Sequence, residues 1–74
     1  MRIVMVSLNS IEKVKHFVNL INRFDSEFDL ASGRYVIDAK SIMGIFSLDL
    51  TKPVQLIIHE ETEEILNLLS TFMV

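Results

Sequence analysis

The chain opens on a strand-compatible apolar stretch, Ile3-Val4-Met5-Val6, that ends at Ser7 and gives way to the pause Leu8-Asn9-Ser10. This predicts a first strand over residues 3–7. From Ile11 the period changes. Apolar residues stand at 11, 14, 17, 18, 21 and 24, with Glu12, Lys13, Lys15, Asn19, Asn22 and Arg23 outside that stripe. The spacing is that of one helical face and predicts a helix over residues 10–24. Asn9 or Ser10 can cap it, and Glu12 three residues after Asn9 allows an Asn version of the capping box. Glu27 to Leu30 and Arg34 to Asp38 then alternate polar with apolar on either side of Ala31-Ser32-Gly33, which reads as a hairpin.

Ser41 is a good N-cap for a short helix over 41–48, although Gly44 inside it costs about 1 kcal/mol relative to alanine. Asp49 to Pro53 reads as a loop and Val54 to His59 as a fourth strand, whose centre Leu56-Ile57-Ile58 suggests burial on both faces. Glu60, Glu61, Glu63 and Glu64 suit a helix N-terminus, and Ile65, Leu68, Leu69 and Phe72 continue at helical spacing. The last helix is therefore expected over 61–72. The order βαββαβα implies an α+β open-faced sandwich, a four-stranded antiparallel sheet with three helices on one face. Val14, Phe17, Val18, Ile21, Ile57, Leu68 and Leu69 are the expected core.

Composition narrows the possible functions. With 74 residues, half of them hydrophobic and 23% charged, the chain suits one compact domain over 1–74 and leaves no room for a large catalytic insertion. The net charge of −3 and the lack of a Lys/Arg cluster argue against direct nucleic-acid binding. Cysteine is absent, which removes disulfides, thiolate metal sites and thiol nucleophiles together. The first apolar stretch is too short for a signal-peptide core, and no run approaches the ~18 residues of a membrane span. A cytoplasmic protein is expected, without membrane contact.

His16 and His59 are the two side chains with ordinary pKa values near neutrality, and neither sits in a catalytic or metal-ligand spacing. His16 falls on the polar side of its helix, and His59 ends a strand beside possible acidic partners. The acidic run 60–64 is explained by the helix dipole, and the two glycines stand apart, so no phosphate loop exists. No metal, no cofactor and no catalytic residue is expected, and the protein is read as not an enzyme. The segment 40–48 is the exception to this plainness. Ile42, Met43, Ile45, Phe46 and Leu48 exceed what one short helix can bury. Either all are interior, or Ile45 and Leu48 turn inward and leave Ile42, Met43 and Phe46 as a surface patch suited to a protein partner.

The stretch Asp38-Ala39-Lys40-Ser41-Ile42-Met43-Gly44-Ile45-Phe46-Ser47-Leu48 resembles the regulatory-serine segment of HPr, the phosphocarrier of the bacterial sugar phosphotransferase system. Phe17-Val18 and Asn22-Arg23-Phe24-Asp25-Ser26 are similar to the end of that family's first helix, and the element order agrees along the chain. The family's phosphocarrier motif, Gly-Leu-His-Ala-Arg-Pro, is altered: in register, Ser10 stands at the histidine, Glu12 at the arginine and Lys13 at the proline, while Asp49 replaces a usual glycine.

The resemblance is therefore closest to histidine-less catabolite-repression variants. It implies a non-phosphotransferring regulator of carbon catabolite control, with Ser41 as a phosphorylation site for an HPr-type kinase. Ile42, Met43 and Phe46 would be the docking residues for a transcription regulator or phosphotransferase components. A residual phosphocarrier and a diverged adaptor without phosphorylation are the alternatives. Oligomeric state is left open by the sequence.

Overall fold

The computed structural model describes residues 1–74 in the order β1 (Arg2–Val6), α1 (Ile11–Ile21), β2 (Phe28–Ser32), β3 (Tyr35–Asp38), α2 (Ile42–Phe46), β4 (Val54–Ile58) and α3 (Glu63–Leu69). The strands form one sheet in the order β1-β4-β2-β3, with every pair antiparallel. This is the four-stranded α+β sandwich expected from the sequence. Crossing from β1 to β2 and from β3 to β4 requires the helical connections, and these cover one face of the sheet.

Period-two alternation decides which residues meet that cover. Val4 and Val6, Phe28 and Leu30, and Val54, Leu56 and Ile58 are buried, while Ile3 and Met5 on the same sheet are exposed. The 19 buried residues are all apolar, so the interior holds no desolvated acid or base. Any chemistry belongs to the surface.

Local signals explain the element boundaries. Ser10 caps α1 by accepting from the Lys13 amide at 3.1 Å, so Ser10 and not Asn9 sets the register and Glu12 closes no capping box. The helix ends at Ile21, short of the expected Phe24, because the Asn22 side chain donates to the Val18 carbonyl at 2.9 Å and the chain turns there. The hairpin turn is Gly33-Arg34, one residue later than expected, since Ser32 pairs with Tyr35. Gly33 has φ 59°, the conformation a glycine at the first central position of a II′ turn supplies. Thr62, not an acid, caps α3 through the Ile65 amide at 3.2 Å, leaving Glu63 and Glu64 in its first turn and Glu60 and Glu61 before it. The helix stops at Leu69.

Two core assignments are corrected. Ile57 is half-buried, because its partners Ile3 and Asp29 lie on the face that no helix covers. Leu68 is exposed, since Ile65, Leu69 and Phe72 supply the buried stripe. Conversely, Leu20 is buried although it lies off the α1 stripe, and Ile11 on the stripe is exposed. Phe72 packs edge-on against His16 and Phe17, so the C-terminal turn covers the flank that Leu20 shares with His16 four residues before it. The chain end then joins the sheet. Ser7 donates to Phe72 O at 2.8 Å, Val74 donates to Met5 O at 3.0 Å, and Val6 bridges Met73, so the free edge of β1 is partly closed.

Candidate functional site

The α2 region holds the surface features with functional potential. Five residues are too few for an isolated helix, and α2 is held by burial of Ile45 and Leu48. Ser41 is its N-cap, and its exposed hydroxyl accepts from the Gly44 amide at 3.2 Å. Gly44 is tied to that hydroxyl by space: a Cβ there would lie 3.3 Å from Ser41 Oγ and 3.4 Å from Ile37 Cβ. On the outer side of the helix Met43 is 80% and Phe46 45% exposed, while Ile42 is half-buried against the core. These three side chains therefore do not share one state: two are open and one is shielded.

Lys40 fixes the approach to Ser41. Its ammonium donates to the Phe24 carbonyl at 2.6 Å and lies 5.8 Å from the centre of the Phe28 ring. Its own amide donates to Asp38 Oδ1 at 2.9 Å, so the cap is pinned between the α1–β2 connection and the end of β3. The sequence alone gives Lys40 no role. The missing signal is long-range, since the carbonyl it meets is sixteen positions away.

Ser10 lies at the mouth of a cleft of about 270 Å³ between the β1–α1 connection, Leu8 to Ile11, and Phe46, Leu50 and Thr51. The fold thus brings Ser10 and Phe46 to one cleft, whereas Ser41 stands at the opposite end of α2. The cleft lies at the lower edge of the usual size of a small-molecule pocket, about 300–1,000 Å³. Thr51 in its lining is held by Asp49, whose carboxylate accepts from the Thr51 hydroxyl at 2.6 Å and the Thr51 amide at 3.1 Å. These bonds, the hydroxyl first, lower the Asp49 pKa below the ordinary aspartate value. Asp49 thus makes its own closed turn with Thr51.

The two histidines are apart from this region. His59 Nε2 lies 2.8 Å from Asp29 Oδ2, a surface pair on the uncovered sheet face, and His16 lies edge-on to Phe72 at 5.8 Å. Neither adjoins Ser10 or Ser41 in the hydrogen-bond network. No helix is long and apolar enough to cross a membrane.

Comparison with known proteins places this geometry. Residues 12–73 match the family described as PTS HPr component phosphorylation site. The fold is similar to the crystal structure of HPr-C-His from Thermoanaerobacter tengcongensis, with 25% identity, a TM-score of 0.78 and coverage of 96% of this chain and 89% of that one. It is also similar to the phosphocarrier protein HPr from Bacillus anthracis str. Ames, with 27% identity, a TM-score of 0.72 and coverage of 99% and 94%. None of the curated proteins compared with the chain matches it.

Proposed function

Since the chain belongs to the HPr family of the phosphotransferase system, we propose that it is a non-phosphotransferring regulator, one HPr-like domain over 1–74 that acts in carbon catabolite control by binding a protein partner through α2. The observation that carries the reading is the juxtaposition of an exposed serine cap, Ser41, with two exposed apolar side chains, Met43 and Phe46, on one short helix. Large apolar side chains left in water beside a modifiable hydroxyl suit a surface on which contact and charge are read together.

The other half of the argument is what α1 lacks. A phosphocarrier needs a nucleophile and a cation at the helix N-terminus. Ser10 offers a hydroxyl engaged with the Lys13 amide, and Glu12 adds a negative charge that repels phosphate. A serine ester does not share the high transfer potential of a phosphohistidine. Ser41, by contrast, would accept the γ-phosphoryl group of ATP from an HPr-type kinase: the Oγ–P bond forms as the bond to the bridging oxygen breaks, ADP leaves and the kinase takes the hydroxyl proton. The added charge meets the first-turn amides of α2, an interaction worth about 0.3–1 kcal/mol, and the helix tightens without refolding. Partners are accordingly a kinase, a transcription regulator or phosphotransferase components, with Ile42 as the shielded shoulder of the Met43 and Phe46 contact.

A residual phosphocarrier role is the second reading, favoured by the family match and by the likeness to the Bacillus anthracis phosphocarrier. Mass spectrometry separates the two. Incubation with an HPr-type kinase and ATP should add one acid-stable phosphate at Ser41, and incubation with the general phosphotransferase enzyme and phosphoenolpyruvate should add none. Stoichiometric acid-labile phosphate on His16 or His59 overturns the proposal in favour of the carrier, and no label from either source leaves an adaptor.

A further inference from the structure

The sheet face opposite the helices is unusually apolar for a surface open to water, where an antiparallel sheet ordinarily shows polar residues. The strand register makes two rows of it. One row runs Met5, Gln55, Ala31, Val36, with Val74 beside Met5; the other runs Ile3, Ile57, Asp29, Asp38. Ile3 is 54%, Met5 40% and Val36 62% exposed. A shallow hollow bounded by Met5, Ala31, Gln55 and Pro53 lies on the same face.

Charge on this face is arranged by position. Asp38 lies at the β3 end of the second row and has no cationic side chain paired with it, whereas Asp29 is taken by His59. Arg34 lies in the β2–β3 turn at the opposite end of the strands, also without an ion pair. The row through Met5 and Val36 falls between them. A two-fold axis in the plane of the face, along that row, superposes the row on its own copy and sets Arg34 of each molecule over Asp38 of the other. Both charges and the apolar row are satisfied by the same operation, which is the self-complementarity an isologous contact requires.

We propose that this face is an interface between two copies of the chain, stacked sheet on sheet at about 10 Å with strands of the facing sheets roughly aligned. The five strand positions present roughly 20 by 20 Å, about half of the ~800 Å² per partner of a standard interface, so the dimer is weak. It leaves α2 outward on both copies, and the contact is independent of the Ser41 and Phe46 surface.

Sedimentation equilibrium of the whole chain tests it. A monomer–dimer equilibrium is expected between about 0.1 and 1 mM, the weak end of the affinity scale, because the contact is smaller than a standard interface. Ile3→Lys and Val36→Lys should each weaken it at least tenfold, and Met43→Asp should leave it unchanged. Arg34→Asp should weaken it about fivefold, and Asp38→Arg in the same chain should restore it. All these side chains are exposed, and a thermal melt of each variant confirms folding. A monomer at 1 mM overturns the proposal. So does a dimer that ignores Ile3→Lys yet is lost with Val36→Lys, which is pairing along the β3 edge, or one lost with Met43→Asp. Failure of the charge swap to restore association also overturns it, even if a lysine variant proves unfolded.

Discussion

Ser10 and Ser41 open their helices by the same bond, an amide three residues on donating to the serine hydroxyl at 3.1 Å in α1 and 3.2 Å in α2, and both have extended backbones at the cap. The two helices differ in the residues behind the cap. Behind Ser10 stand Ile11 and two charged residues, in a helix of 11 residues that sinks Val14, Phe17, Val18, Leu20 and Ile21 into the core. Behind Ser41 stand Ile42, Met43 and Gly44, in a helix of five residues that buries Ile45 alone. A cap is a generic solution to unpaired amides. The surface beside the cap is what separates the two serines, buried apolar packing in α1 and exposed Met43 and Phe46 in α2.

The contrast can be broken most forcefully from the α1 side. Phe17 is fully buried and meets Phe72 edge-on at 5.6 Å, so Phe17→Ala should cost about 3–5 kcal/mol. Urea denaturation checks it, and a loss below about 1 kcal/mol would mean that the helix–sheet core is loosely packed.

Next in size are the two caps compared directly. Ser10→Ala and Ser41→Ala should each cost about 1 kcal/mol, within the roughly 0.5–2 kcal/mol expected of a serine cap. Kinase labelling should vanish in Ser41→Ala and persist in Ser10→Ala, measured on variants shown to be folded. Unchanged labelling of a folded Ser41→Ala chain would place the modification elsewhere. Installing a histidine and an arginine at the proposed motif positions sharpens the comparison further. Ser10→His with Glu12→Arg should accept phosphate from the general phosphotransferase enzyme, while Ser10→His alone should be at least about tenfold slower, because Glu12 repels the incoming anion.

Smaller still are the stability effects on the exposed side of α2. Met43→Asp and Phe46→Asp should shift the thermal midpoint by no more than about 4 °C, as a change near 0.5 kcal/mol does in a domain of this size. Each should nevertheless abolish capture by the regulator. A collapsed melt for both would show the patch to be structural.

The smallest effect concerns the rim of the cleft. The Asp49 carboxylate is held below its ordinary pKa by Thr51, so its contribution is present above the unfolded aspartate value, near 3.9, and is lost as pH falls through the folded value. Asp49→Asn should flatten that last part of the acid limb and leave stability at pH 7 little changed, because the group is exposed. A pH titration of the urea midpoint reads it.

Much of the molecule is legible in the linear chain. The change of period at Ile11 and the Ser41-to-Leu48 motif carry the element order, the Ser41 cap and the family, while the α1 cap is narrowed only to Asn9 or Ser10. Other features are invisible for a physical reason. Thr62 is hidden as a cap because four neighbouring acids supply a sufficient account of the helix start. The bond from Lys40 to the Phe24 carbonyl joins distant positions, which no spacing rule reports. The fates of Leu20 and Leu68 depend on which flank of each helix a neighbour covers.

The sequence by itself determined which side chains share a face, because periods of 3.6 and 2 are properties of the local backbone. It also determined where helices begin, because unpaired amides are met by side chains within a turn. Only the tertiary structure decided which faces are covered. The order β1-β4-β2-β3 places Leu56 under the helices and leaves Ile57 half-buried beside Ile3 on the uncovered face. Coverage depends on partners brought together by the chain's path, so two neighbouring, equally hydrophobic residues on one strand came to have different surroundings.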